Sequence, residues 1–213
     1  MCGRFSIISN SKDLEEHYNL VNAGEFINSY NVTPSSNIPV IRLNKKKREL
    51  ANCKWGFIPS WAKEPKIKPI NVKAETIEEK PYFRASYKKK RCLIPANGYF
   101  EWKGTKGNKQ PYYFKFENDR IFSFAGLWDH WEDGNESFDN CAIITTTANK
   151  LVKTVHHRMP VILSPGNYDD WLLEGDKSLL KPFSGEMVCY PVSKAVNNPD
   201  HNGEKLIQPV ELQ

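Results

Sequence analysis

The chain contains no CxxC pair, no glycine-rich phosphate loop and no long apolar run, and each absence narrows its chemistry. Its five cysteines, Cys2, Cys53, Cys92, Cys141 and Cys189, are odd in number and widely scattered. Neither a disulfide framework nor a zinc site is therefore expected. Without a GxGxxG or GxxxxGK[ST] pattern a nucleotide is not expected either, so we anticipate no cofactor and no metal. No stretch has the length of a transmembrane helix and no secretory or transit segment is recognisable. The expected setting is the reducing cytoplasm, with no membrane partner. No repeat, low-complexity tract or linker divides residues 1–213, which read as one domain, and nothing calls for an assembly beyond a monomer.

What is present describes a globular protein with a preference for anions. Of the 213 residues, 39% are hydrophobic and 26% charged, too apolar for a disordered chain. The net charge of +5 favours a polyanionic partner. Two basic runs, Lys45–Arg48 and Lys88–Arg91, read as solvated turns or helix ends. Six tryptophans can fill a core or stack on bases. Cys53, Cys92, Cys141 and Cys189 lie in apolar or strand-like surroundings, where a buried, inert thiol is expected.

Short β-rich runs dominate. Strands are predicted at Phe5–Ile8, Ile38–Leu43, Leu50–Gly56, Arg91–Ile94, Tyr99–Lys103, Tyr112–Phe116, Ile121–Leu127, Ala142–Thr147 and Met187–Pro191. Helices are predicted at Ser11–Leu20, with Ser11 as N-cap, at Ala74–Glu79, at Tyr82–Lys89 and at Tyr168–Leu173. The proline-rich segment Phe57–Ile70 reads as a structured loop, and Gly104–Asn108 as a turn. Many strands without βαβ alternation argue for an α+β fold on a curved, barrel-like, mostly antiparallel sheet with a few short helices.

The second position carries the most chemistry. Methionine aminopeptidases remove Met1 before a small residue such as cysteine, leaving an α-amine and a thiol on adjacent carbons. Such an aminothiol condenses with an aldehyde to an imine, and the thiol then closes a thiazolidine ring. An α-amine titrates near ~8, against ~10.4 for a lysine amine, so position alone yields a carbonyl nucleophile at neutral pH.

The residues around and beyond Cys2 form an ordered set of blocks. They are Met1–Phe5 (MCGRF), Trp55–Trp61 (WGFIPSW), Ile70–Thr76 (INVKAET), Arg91–Trp102 (RCLIPANGYFEW), Phe124–Trp128 (FAGLW), Thr145–Asn149 (TTTAN) and His156–Leu163 (HHRMPVIL). In these blocks the chain resembles the SRAP (SOS response-associated peptidase) family of abasic-site processing proteins. The resemblance implies a barrel-like core and a positive cleft for single-stranded DNA. It further implies a thiazolidine crosslink between Cys2 and the ring-opened aldehyde of an abasic site, and its possible reversal.

Four positions match the family's active-site residues: Cys2, Asn71, Glu101 and His156. Glu101 stands among Tyr99, Phe100 and Trp102, where an apolar pocket would raise its pKa and let it take a proton from the Cys2 amine and pass one to the departing hydroxyl. His156, with an ordinary pKa near ~6.5, is expected to protonate the sugar oxygen or relay protons. Asn71 offers a donor and an acceptor. Arg4, Lys73 and Arg84 are the expected phosphate contacts, and Trp61 and the Pro34 loop the expected stacking surfaces. Arg158 is expected to hold its loop. Lys73 and Val72 replace the arginine and alanine of many family members; lysine keeps the charge and loses the bidentate fork. Two other readings stay open: a cysteine peptidase or amidohydrolase acting on its own N-terminus or on peptides, and a non-covalent single-strand binding module.

Overall fold

The lysine-rich run at 45–48 is a tight turn because Lys45 and Lys46 both adopt positive φ, at 48° and 67°. It joins two long strands in continuous antiparallel register from Asn37↔Lys54 to Asn44↔Lys47. In the computed structural model of the protein, residues 2–105, 107–118 and 120–212 are described. Among them, the strands are β1 (Phe5–Ile7), β2 (Ser29–Val32), β3 (Asn37–Asn44), β4 (Lys47–Trp55), β5 (Asn71–Lys73), β6 (Arg91–Ala96), β7 (Gly98–Thr105), β8 (Asn108–Lys115), β9 (Phe122–Glu132), β10 (Ser137–Thr147), β11 (Arg158–Pro160), β12 (Ile162–Leu163) and β13 (Val188–Pro191). The helices used below are α1 (Ser11–Tyr18) and α2 (Pro81–Lys89).

Strands β10, β4, β3, β6 and β9 follow one another, and β9 pairs back onto β10, so these five close a barrel. Closure leaves no free edge in the ring. The barrel is mixed, because β10 runs parallel to β4 and to β5. A second sheet, β13-β8-β7-β1-β2, is antiparallel throughout. The α+β, barrel-like and mostly antiparallel architecture expected from the sequence is the one observed.

Both sheets supply one apolar cluster that includes Cys2, Phe5, Trp55, Tyr99, Phe114 and Phe124. A second cluster, with Tyr18, Phe57, Leu127, Tyr168 and Trp171, lies under α1 and α2. Tight packing shows at Gly98, where a Cβ would come within 2.3 Å of the Tyr113 ring and 2.7 Å of the Phe114 carbonyl oxygen. No side chain fits there, and that closeness seats β7 on β8.

Three local expectations are corrected. The N-cap of α1 is Asn10, whose side chain accepts from the Asp13 N–H at 2.9 Å, while Ser11 is the first helical residue. Asn10 is the residue in extended conformation, as a cap must be. The helix expected over Ala74–Glu79 is a single 3₁₀ turn, Ala74–Thr76. Lys80 precedes Pro81 and is held extended, so the turn cannot run on into α2. The helix expected over Tyr168–Leu173 is a 3₁₀ turn at Pro165–Asn167 followed by a π-turn at Asp170–Glu174.

Candidate active site around Cys2

The N-terminus is stitched to β7 by the Phe100 N–H, which donates to the Arg4 carbonyl at 2.9 Å, and by the Phe5↔Tyr99 pairing. Along β7 alternate side chains point to opposite faces. Tyr99 joins the core between the sheets, whereas Phe100 packs with Val192, Val196 and Leu206 on the other side. By the same alternation Glu101 points inward, toward the end of the chain that carries Cys2. Asn71 opens β5, fixed opposite Ile143 of the barrel. His156 precedes β11 at the end of a 3₁₀ turn, its N–H bonded to the Val152 carbonyl.

These four residues, hundreds of ångströms of contour apart in an unfolded chain, meet in one place. The Asn71 Nδ2 donates to the Cys2 carbonyl at 2.8 Å. The Asn71 Oδ1 is buried with no hydrogen-bond partner among the described residues. His156 Nδ1 lies 4.0 Å from a carboxylate oxygen of Glu101. Cys2 is fully buried and Glu101 only 2% exposed.

Burial sets the electrostatics. It pushes the Glu101 carboxyl up to about 7, so that acid and base forms coexist at neutral pH. Burial, and then the nearby Glu101 charge, push the Cys2 thiol far above its ordinary range. His156 goes the other way: burial lowers it to about 4. The expectation that it works from a pKa near 6.5 is therefore corrected, and His156 is neutral at pH 7. Its Nδ1 lies 3.0 Å from the Arg158 nitrogen and 3.2 Å from the Arg158 carbonyl oxygen, so the backbone of Arg158 holds the ring by that nitrogen.

Glu101 and His156 open onto a cleft of about 490 Å³ that is also lined by Trp102, Lys109, Lys194 and Asn197. Two lysines beside a carboxylate suit an anionic ligand better than an apolar one. Sequence reading missed Lys109, Lys194 and Asn197. Lysines on a hairpin and in a tail carry no local signal, and only the fold brings the tail to β7.

The expected DNA contacts divide. Trp61, 57% exposed, and Arg84 line one groove of about 470 Å³ with Pro81, Ala85, Lys88 and Lys89. Lys73 is exposed and stands two residues beyond Asn71 on β5, hence on the same side. Pro34 lies exposed in the turn between β2 and β3, where the Ser35 N–H donates to the Trp55 carbonyl. Arg4 has partners within the fold. Its Nη1 donates to Asn31 Oδ1 at 2.7 Å and to the Val196 carbonyl at 2.6 Å, bracing the N-terminus against the tail.

Other basic residues are structural. Arg158 grips Glu75 through both terminal nitrogens, at 2.6 and 3.0 Å, and the Thr145 carbonyl at 2.7 Å. Arg91 donates to five carbonyls, among them those of Trp171, Leu172 and Leu173 at a helix end. Of the tryptophans, Trp55, Trp131 and Trp171 are core residues. All five cysteines are free thiols; Cys53, Cys92 and Cys141 are fully buried and Cys189 half-buried. No helix among the described residues is long and apolar enough to cross a membrane.

Residues 1–199 match the family model described as "SOS response associated peptidase (SRAP)". A Bacillus subtilis (strain 168) protein named "Abasic site processing protein YoqW" is 41% identical over 223 residues, covering 98% of this chain and 99% of that protein. The "Abasic site processing protein HMCES" of Xenopus tropicalis is 34% identical, covering 82% of this chain and 64% of its own. A crystal structure of a Bacteroides thetaiotaomicron protein superposes with a TM-score of 0.81 at 30% identity, covering 99% of this chain and 100% of that one.

Proposed function

The chain belongs to the SRAP family, and on that premise we propose that it captures abasic sites in single-stranded DNA through a covalent bond to Cys2. The observation that carries this reading is a buried carboxyl poised at about 7, Glu101, facing the N-terminal segment whose Cys2 carbonyl is clamped by Asn71.

Once Met1 is removed, the Cys2 amine adds to the aldehyde carbon of the ring-opened sugar. The neutral amine attacks, and once the C–N bond has formed Glu101 relays the two nitrogen protons to the former carbonyl oxygen, first making the hydroxyl and then releasing it as water to yield the imine. The thiol then adds across the C=N bond. A C–S bond forms, the π pair goes to nitrogen, and the thiol proton follows it. His156, neutral at pH 7, offers a hydrogen bond and does not act as a cationic acid. Running backward, the same groups reopen the ring and release the sugar. Lys109 and Lys194 hold phosphate at the cleft, while Lys73, Arg84 and Trp61 guide the strand without reading sequence.

The peptidase reading requires a thiolate activated by a base. Against it stand a thiol pushed upward by burial and a His156 Nδ1 engaged by the Arg158 N–H. The test is a denaturing gel of the protein with an oligonucleotide bearing one abasic site, beside Cys2→Ala and an intact oligonucleotide. A heat-stable shifted band is expected only for the wild type with the lesion. No band despite verified loss of Met1 would reject covalent capture and return the peptidase reading to first place.

A further inference from the structure

Successive side chains of an extended chain point to opposite faces. His156 and His157 do not. Their rings lie face to face, with centroids 4.4 Å apart and planes 28° from parallel. The backbone is pinned on both sides of this stack. The His156 N–H donates to the Val152 carbonyl at 2.8 Å, and the His157 carbonyl accepts from the Ala148 N–H at 3.1 Å. His157 itself is exposed, so burial does not account for where its ring lies. Because His156 is neutral at pH 7, the two rings stack without charge repulsion.

The neighbouring groups grip His156 at its Nδ1 edge. That nitrogen lies 3.0 Å from the Arg158 nitrogen, 3.2 Å from the Arg158 carbonyl oxygen and 4.0 Å from a Glu101 carboxylate oxygen. A grip at one atom fixes a distance but lets a ring pivot about that atom. A second ring laid against its face opposes the pivot, because turning would break the stack. The rest of the imidazole is thereby set relative to the cleft that His156 lines with Glu101.

We propose that His157 is a positioning residue, whose ring, stacked on His156, holds the His156 imidazole in the orientation that serves the reaction in the cleft. It acts through its ring face, makes or breaks no bond, and touches neither the sugar nor the DNA backbone. Stacking of this kind shifts an equilibrium between ring orientations by roughly twofold to tenfold. The role in the reaction rests on the covalent-capture reading, whereas the hold on the His156 ring does not.

The experiment compares His157→Ala with His157→Phe, which keeps a flat ring and has no nitrogen. Heat-stable adduct is followed under single turnover against rising concentrations of an abasic oligonucleotide. His157→Ala should lower the saturating rate by roughly threefold to tenfold and leave the half-saturating concentration unchanged. His157→Phe should restore the rate. In a His156→Ala background, adding His157→Ala should slow the reaction no further, because His157 acts through His156. Without DNA, the three-bond couplings of the isotope-labelled His156 side chain should report one rotamer in the wild type and His157→Phe, and averaging in His157→Ala.

A wild-type rate for His157→Ala overturns the proposal, as does a His157→Phe variant as slow as His157→Ala. So does a loss that adds to that of His156→Ala, or a single His156 rotamer in His157→Ala. A half-saturating concentration raised in both variants also overturns it, by making His157 a DNA contact through its nitrogens. If His157→Ala melts early, His157→Leu, with bulk but no flat face, replaces it under the same expectations. If the wild type forms no adduct at all, covalent capture fails, and the couplings still decide whether His157 holds His156.

Discussion

The N-terminal and central regions of one core treat the same residue type in opposite ways. Cys53, Cys92 and Cys141 sit inside the barrel on β4, β6 and β10, as fully buried as Cys2. Around them the cluster is apolar, and burial pushes the Cys92 and Cys141 thiols up as it does Cys2. Around Cys2 the same core admits Glu101, the unpartnered oxygen of Asn71 and the unpartnered hydroxyl of Tyr99. Burial alone thus does not set Cys2 apart from the other thiols. The difference lies in the polar groups that the fold forces into the low-dielectric space beside it, where each is electrostatically stronger than in water.

The comparison breaks most sharply by exchange of roles. Cys2→Ala should abolish the heat-stable adduct, while Cys141→Ala should leave its rate intact and lower stability by about 1–2 kcal/mol through a small cavity. Gel shift and denaturant melts read the two effects, and equal crosslinking by both variants would end the distinction. Next in size, Glu101→Gln should slow adduct formation by roughly 10²–10⁴-fold. In a single-turnover assay the wild-type pH profile should bend near 7, where Glu101 titrates, and the bend should vanish in the variant. No second bend near 6.5 should remain in the Glu101→Gln profile, because His156 is already neutral above about 4.

Stability sharpens the same contrast. The folded carboxyl of Glu101 titrates at about 7, above the ordinary 4.5. The folded state therefore binds the proton more tightly than the unfolded chain. Its contribution is fully present below pH 4.5 and is lost as pH rises through 7. Glu101→Gln should match the wild type near pH 4 and exceed it at pH 8 by on the order of 3 kcal/mol. Denaturant melts at the two pH values check this, and a variant equally stable at both would refute the shifted carboxyl.

The smallest effect belongs to the surface. Arg84→Ala should weaken single-strand binding severalfold and reduce the slope of log affinity against log salt by about one. Trp61→Ala should cost about 1–3 kcal/mol of binding through lost stacking, with little salt dependence. Fluorescence titrations at several salt concentrations separate the two. A salt slope unchanged by Arg84→Ala would remove that residue from the phosphate path.

Much of this was legible along the chain. Period-two runs and turn residues marked most of the long strands, and the blocks around Cys2, Asn71, Glu101 and His156 marked the site residues that the fold brings together. Strands β2, β5, β11 and β12 escaped notice because each is two to four residues long. Such segments are strands only by virtue of distant partners, as β12 is through Phe124 and Ser123 of β9. The bracing contact of Arg4 was not legible either, because a lone arginine near an N-terminus carries no hint of a tail 192 positions away.

The sequence by itself determined the class of fold, the cysteine at position 2 and the residue types gathered around it, since these follow from local periodicity and side-chain chemistry. Tertiary structure decided their charge states: a carboxyl at about 7, a neutral histidine and a raised thiol. It also decided which cations line the cleft and buried the Tyr99 hydroxyl without a hydrogen-bond partner among the described residues. The physical reason is that a pKa reports the water and charge surrounding a group. Those surroundings come from strands far apart in the chain and exist only once the two sheets have closed on one another.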